Sequence, residues 1–347
     1  MDNLLFLDHK QMELWKEFLK REKHLLIHTP EYKNFIDNAF RCKTYYVAYV
    51  DEDMIKTLLP VFYIDHLLFG KKLISSGFLE YGSFAGDKKY VAEIINFLYK
   101  EFSHKTAFLE VRHGLEGYDK EMSALMIKTD EYKRAILQLG AQEEVWKKIQ
   151  KSKRKSIKKA ENDGIKVKML EKEDIKEIYR LYLKNMKAFG SPAFGKRFFA
   201  SFFENIVSKG YGRVYGAFVN TKLVSVLLGF TYEDTIHITI SVSDNKYLKY
   251  RPNDAVHWEF IKYGCKNGFK VFDFGRVRED SGQHEYKRKW GTKIIELPHY
   301  YLLWKADKMP RIDPNNPKYK AIVWLWKRVP VFVNRYIGPW LREGLGI

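Results

Sequence analysis

The sequence predicts an α/β fold of two tandem lobes, each a mixed sheet flanked by helices. Three observations lead there. First, 347 residues exceed what one core normally organises. Second, short apolar or alternating runs bounded by turn residues recur between stretches of helical period, the alternation that marks an α/β chain. Third, the charge divides along the chain. Residues 1–145 carry 20 Lys and Arg against 23 Asp and Glu, while residues 146–347 carry 41 against 20, so the net +18 comes from the second part. Hydrophobic residues at 46% and aromatics at 16% suffice for filled cores and exclude a disordered chain.

In the first lobe (1–145), residues 9–23 place Met12, Leu14, Trp15, Phe18 and Leu19 at helical spacing. Thr44–Val50 and Lys56–Ile64 read as strands around the acidic turn Asp51-Glu-Asp53, and Leu67–Ile74 turns back into a third. Lys88–Phe102 has the period of a helix (Val91, Ile94, Ile95, Leu98), and Ala107–Val111 is a short buried strand. The second lobe (146–305) opens on a cationic helix, Trp146–Asn162. Eight of its residues from 146 to 160 are Lys or Arg and none is acidic. Trp146, Ile149, Ile157 and Ala160 share one face, and Gly164 stands where a helix-ending glycine belongs.

Lys166–Leu170 is then a strand, and Lys172–Lys187 and Gly195–Ser208 are helices. Tyr211–Val219, Lys222–Phe230 and Thr235–Ser241 form an antiparallel meander. Pro252–Lys266 is a helix with its proline at the start, where proline is tolerated. Lys270–Phe274 is the next strand, ended by Gly275, and Lys293–Trp304 closes the sheet. Residues 306–347 form a Pro-interrupted tail. Pro310, Pro314 and Pro317 mark an irregular linker, and Trp324, Trp326, Phe332, Tyr336 and Trp340 then mix with Lys327, Arg328, Arg335 and Arg342. This tail is too broken to span a bilayer; its aromatics and cations suit either an anionic membrane surface or packing onto the second lobe.

The composition narrows function. Two cysteines, Cys42 and Cys265, make no disulfide framework and point to a reducing, cytoplasmic setting. The N-terminus lacks the basic leader and apolar core of a signal peptide, and no window is apolar over about 18 residues. The ten histidines are scattered, without metal-ligand spacing, so no metal or cofactor is expected. The basic second part points to a polyanionic partner.

No serine nucleophile elbow, phosphate-binding P-loop or dinucleotide glycine fingerprint occurs. Phosphate binding then rests on side chains. The richest segment is Phe272-Asp-Phe-Gly-Arg276 with Arg278, the polar loop Glu279-Asp-Ser-Gly282 and Tyr286-Lys-Arg-Lys-Trp290-Gly291. A strand, a glycine, a cationic loop and a basic helix start suit an anion site at a sheet end. Arg276 and Lys287 are the candidate anion and oxyanion holders, and Lys153, Arg154 and Lys158 would steer phosphates. Acyl transfer to an amine needs alignment, a proton acceptor and oxyanion stabilisation. Asp273, Glu80 and Glu110 are the candidate acceptors, with Asp273 more readily placed as the group that orients Arg276.

These motifs resemble the FemAB family of tandem GNAT-fold peptidyl and acyl transferases, nearest to the FemAB-related proteins of exosortase and exopolysaccharide systems. Leu68-Phe-Gly70-Lys-Lys-Leu-Ile-Ser75 and Glu80-Tyr-Gly82 carry the likeness in the first lobe. In the second it rests on the Trp146–Asn162 helix, Asn253-Asp-Ala-Val-His-Trp258, Gly268–Arg276 and Tyr286–Gly291, with Asn316-Pro-Lys-Tyr and Ile337-Gly-Pro-Trp340 in the tail. The resemblance implies two GNAT-like lobes with an acceptor cleft between them. Lys287 would steady phosphate or developing negative charge, with Glu80, Tyr81, Trp258, Tyr286 and Trp290 on the substrate side. It further implies an aminoacyl-tRNA or acyl-CoA donor and a phosphorylated envelope or polysaccharide precursor as acceptor. The sequence departs from the family by lacking the long helical-hairpin arm, by having Val277 where Ser often follows the arginine, and by a glycine-free Lys246–Arg251 loop. A non-catalytic RNA- or membrane-binding module is the reading from a different class.

Overall fold

The protein, seen in a computed structural model, is described over residues 3–278, 281–310 and 316–346. Glu279, Asp280 and Pro314, named from the sequence above, lie outside the described residues. The chain divides into two compact units. Met1–Glu131, Leu297–Ile312 and Trp340–Ile347 make the first, and Tyr132–Glu296 with Asp313–Pro339 the second.

The first unit has strands β1 (Leu4–Phe6), β2 (Lys43–Asp51), β3 (Met54–His66), β4 (Gly70–Ile74), β5 (Ala85–Gly86), β6 (Phe108–Arg112) and β7 (Ile127–Thr129). Its helices are α1 (Met12–Arg21), α2 (Pro30–Ala39), α3 (Val91–Phe102) and α4 (Asp119–Leu125). The β2–β3 turn holds Glu52 and Asp53 both at left-handed φ, the tight hairpin geometry that matches strand twist. Thr29 starts α2 by accepting the Tyr32 N–H at 3.2 Å, and Pro30 sits at the first helical position. The apolar faces of α1 and α3 meet the sheet in a core that includes Trp15, Phe18, Leu58, Ile94 and Leu98. Trp15 is fully enclosed there because its indole N–H donates to the His28 carbonyl at 2.8 Å.

The second unit has strands β8 (Lys133–Gln138), β9 (Lys166–Met169), β10 (Gly212–Val219), β11 (Lys222–Tyr232), β12 (Thr235–Ser243), β13 (Val271–Val277) and β14 (Lys293–Glu296). Its helices are α5 (Gln142–Lys148), α6 (Lys151–Asn162), α7 (Ile175–Phe189), α8 (Lys196–Asn205), α9 (Pro252–Lys266) and α10 (Gly282–Arg288). The sheet order is β14-β8-β13-β12-β11-β10-β9. The meander β10–β11–β12 is antiparallel as expected, β12 and β13 run parallel, and β8 inserts antiparallel beside β13.

Three expectations change. Residues 132–145, read as the end of the first lobe, belong to the second unit, because β8 pairs with β13 on one side and β14 on the other. The run 293–304 is two strands, not one: Pro298, which has no N–H to donate, separates β14 from β15 (His299–Leu303). β15 pairs with β6 and β7, so the first sheet runs β1-β2-β3-β4-β6-β15-β7 with β5 beside β3. The cationic helix is broken. Ile149 and Gln150 are extended, and the Gln150 N–H donates to the Lys289 carbonyl at 3.0 Å, which ties the break to the segment after α10. Gly164, at φ +77°, ends α6 as expected.

After the proline-marked linker the tail is helical. Pro317–Trp326 is α11 and Val331–Leu345 is α12, with Pro339 inside it. Among the described residues, no helix is long and apolar enough to cross a membrane.

Candidate functional site

β13 carries the site. Phe272 and Phe274 pack into the core of the second unit beside Phe260 and Trp290, and between them Asp273 is fully buried. A buried carboxylate needs partners. One oxygen of Asp273 accepts the Gly275 N–H at 2.8 Å, and the other accepts Arg134 Nη1 at 3.1 Å. Arg134 comes from β8. The expectation that Asp273 orients Arg276 is corrected: its side-chain ion pair is with Arg134.

Gly275 does not end the strand. It takes φ +74°, open to glycine at little cost, and the β13–β8 register shifts between Asp273 and Arg276. This bulge sets Arg276 directly opposite Arg134. The guanidinium of Arg276 lies 4.4 Å from the Tyr132 ring centre. That of Arg278 lies 5.2 Å from the same centre and donates to the Tyr132 hydroxyl at 3.2 Å. One ring thus gathers two cations. Ser281 caps α10 by accepting the His284 N–H at 3.1 Å. Lys287 on that helix then directs its ammonium to the carbonyls of Gly275 at 3.1 Å and Arg276 at 2.8 Å. Arg134, Arg276, Arg278 and Lys287 therefore meet around the bulge with Asp273 as the buried carboxylate between them. Cations gathered in this way suit a multiply charged anion.

A second cluster is structural. Lys153, expected to steer phosphates, is buried and bonds Asp254 of α9 at 2.7 Å. Its ammonium lies 3.9 Å from the Tyr286 ring centre and 5.3 Å from that of Trp290. Tyr286 donates to the same Asp254 oxygen at 3.1 Å. Burial lowers the Lys153 pKa despite the Asp254 carboxylate. Burial likewise drops His257, stacked on Phe274, to about 4. Trp290 and Trp258 belong to this core, Trp258 with its ring centre 4.7 Å from that of Trp146. The structure thus places Lys153, Trp258 and Trp290, expected on the substrate side, buried within this unit. Tyr286 is half-buried above them, Arg154 is half-exposed and Lys158 exposed on α6.

Glu80 and Tyr81 lie in the first unit, half-buried and buried respectively. Glu110 is there too, enclosed with Arg112 Nε at 2.9 Å and His299 Nδ1 at 2.8 Å. Burial alone would raise its pKa, but Arg112 and His299 outweigh that and hold it well below the usual carboxylate range. It is a structural anion, unsuited to taking a proton at neutral pH.

Sequence reasoning missed Tyr132, Arg134 and Asp254. The first two precede the apparent lobe boundary, and nothing local shows that β8 joins β13. Asp254 stood inside a quoted motif, yet only the 101-residue link to Lys153 gives it a role.

One further feature concerns the strands before the site. β12 and β13 pair only over Thr235–His237 and Val271–Asp273, although both strands continue. A 3₁₀ turn, Asn245–Tyr250, then leads to Arg251 at φ +58°, a left-handed position rare for non-glycine residues. Pro252 starts α9 immediately after.

Residues 147–288 match the family model described as an acetyltransferase (GNAT) domain. No curated protein matches the chain. Among solved structures it is similar to FemX, at 12% identity and a TM-score of 0.66, over 92% of this chain and 99% of that one. It is similar to L-PGS from Bacillus licheniformis at 12% identity and 0.58, over 91% and 97%. A tandem GNAT protein from the clavulanic acid biosynthesis pathway aligns at 8% identity and 0.56, over 88% and 99%. The class that fold and domain define is that of the tandem GNAT-fold proteins. Within it, the chain shares the fold of FemX over nearly its whole length, the fold its motifs led one to expect.

Proposed function

We propose that the protein is an N-acyltransferase that moves an aminoacyl group from aminoacyl-tRNA to an amino group of a phosphorylated cell-envelope precursor, working on the cytoplasmic side. The observation that carries this reading is the group of four cations at the β13 bulge, of which Arg276, Arg278 and Lys287 lie inside the residues that match the GNAT domain. In such a transfer the acceptor amine attacks the ester carbonyl carbon. A C–N bond forms, negative charge develops on the carbonyl oxygen, and the ester C–O bond breaks. The departing ribose oxygen takes up a proton that the amine loses. The protein's share is alignment and charge stabilisation. The Lys287 ammonium, held by two strand carbonyls, is pre-placed for developing charge, and Arg276 and Arg278 suit phosphates. Asp273, the buried carboxylate at the bulge, does not stand ready as a base, since it is committed to Arg134 and the Gly275 N–H. The substrates' own groups would pass the proton.

Incubation with charged tRNA and amine-bearing envelope precursors tests the reading. Transfer is expected to depend on intact tRNA and to fall at least tenfold in Lys287→Ala. Transfer that persists after RNase treatment sinks the tRNA requirement, and an unaltered rate in a folded Lys287→Ala protein removes the assigned role.

An acyl-CoA donor, serving polysaccharide or lipid synthesis, is the second reading. It is favoured by the family model's description and by the parting of β12 and β13 ahead of the α9 N-terminus, where backbone N–H groups attract phosphate. Calorimetric titration with acyl-CoA of several chain lengths separates the two. Heat that disappears in an Arg251→Glu variant supports CoA, and no heat at any length rejects it.

A further inference from the structure

The last part of the second unit turns large apolar residues outward. α11 and the start of α12 are fixed by small and polar contacts. The Asn334 side chain is fully buried, accepting the Ala193 N–H at 2.9 Å and donating to the Ser191 carbonyl at 3.2 Å. Gly190, at φ +73°, lets Val323 so close that a Cβ there would stand 2.6 Å from the Val323 carbonyl oxygen. Gly338 likewise leaves no room beside Asn334 and Ala193.

These contacts hold one side of the two helices to the α7–α8 loop. Ile322, Trp324, Leu325, Phe332, Tyr336 and Ile337 are left exposed, Tyr336 at 71% and Phe332 at 63%. Soluble surfaces scatter such residues singly, whereas these six crowd into 16 positions.

The charge on the same stretch is one-sided. From Asn316 to Arg342 there are six Lys and Arg and no Asp or Glu. Lys320, Lys327, Arg328 and Arg335 are exposed, and among the described residues none of the four is ion-paired. The Arg328 guanidinium lies 3.5 Å from the Trp324 ring centre, and that of Arg335 5.6 Å from the Tyr336 ring centre. Trp324 and Tyr336 thus each carry a cation beside them.

From this arrangement we infer that the outward face of α11 and early α12 is a docking surface for an anionic lipid bilayer. Its six apolar residues would enter the headgroup–acyl boundary, and its four unpaired cations would meet lipid phosphates. The choice of occupant follows from charge and geometry. A protein groove would have to place acidic groups to match each of these separate cations, whereas an anionic bilayer offers apolar depth and phosphate charge at every point. At ten residues, about 15 Å, α11 lies on such a surface but cannot cross it. This goes beyond the proposed transferase activity and does not rest on it.

The test is co-sedimentation of the full chain with vesicles of phosphatidylcholine alone or with 30 mol% phosphatidylglycerol (about a third anionic). Binding is expected to the anionic vesicles only, with a blue shift in tryptophan emission and weakening as salt rises. Trp324→Ser/Phe332→Ser and Arg328→Glu/Arg335→Glu should each lower partition about tenfold or more. Circular dichroism and unfolding midpoints equal to the parent's would show that these variants fold. All four residues are outside the β13 site, so transferase activity on soluble substrates serves as an independent control. Equal binding to both vesicle types, or undiminished binding by both folded variants, overturns the inference. So does self-association at assay concentrations that Phe332→Ser abolishes, since a second copy of the chain would then be the occupant.

Discussion

Replacing Arg134 by Met strips the buried Asp273 carboxylate of its ion-pair partner while keeping much of the side-chain volume. Breaking a buried pair by removing one member costs about 3–5 kcal/mol, because the remaining charge stays desolvated. Two features reduce that here. Asp273 keeps the Gly275 N–H at 2.8 Å, and the Arg134 side chain is 22% exposed, so water can reach the vacated position. The expected loss is about 2–3 kcal/mol, or roughly 5–10 °C in the melting temperature of a unit this size. Urea unfolding and calorimetry measure it. Asp273→Asn with Arg134→Met removes the charge and keeps an acceptor for Gly275, so the double variant should recover at least half the loss. An Arg134→Met protein within about 0.5 kcal/mol of the parent refutes the reasoning, as do single effects that simply add.

Gly291→Ala should destabilise the second unit severely, because its φ is +80° and the new Cβ would stand 2.6 Å from the Lys148 carbonyl oxygen; thermal melts check this. Burial drops His28 in the first unit and His257 in the second to about 4, from an unfolded value near 6.5. Their stability contribution is whole above pH 6.5 and is lost as pH falls towards 4, by up to about 1.4 kcal/mol per pH unit for each. Urea midpoints between pH 7 and 5 should show that slope, and His257→Gln should flatten it in the second unit. Glu110, held low by Arg112 and His299, adds acid sensitivity to the first unit only below about pH 4.5. Lys153→Met should cost stability by leaving Asp254 with Tyr286 alone, yet leave the salt dependence of anion binding unchanged, which titrations at several ionic strengths would show.

Much of the fold was legible because its signals are local. The period of α3, the proline that starts α9 and the meander of β10 to β12 are each written in a few consecutive residues. The anion site was half legible for the same reason, since Asp273, Arg276, Arg278 and Lys287 lie within 15 positions. The burial of Lys153 was not legible, because a lysine among exposed lysines looks like its neighbours until Asp254 is brought beneath it.

By itself, then, the sequence determined two α/β lobes, a basic second part and a strand-to-helix segment built for anions. Only the tertiary structure decided which sheet takes β8 and which takes β15, and so which cation neutralises Asp273. Arg134 is 139 residues away, and Lys153 is 101 residues from Asp254. The physical reason is that helical and strand periods arise from neighbouring residues, whereas strand pairing and charge burial are settled by which distant segments the two cores bring together.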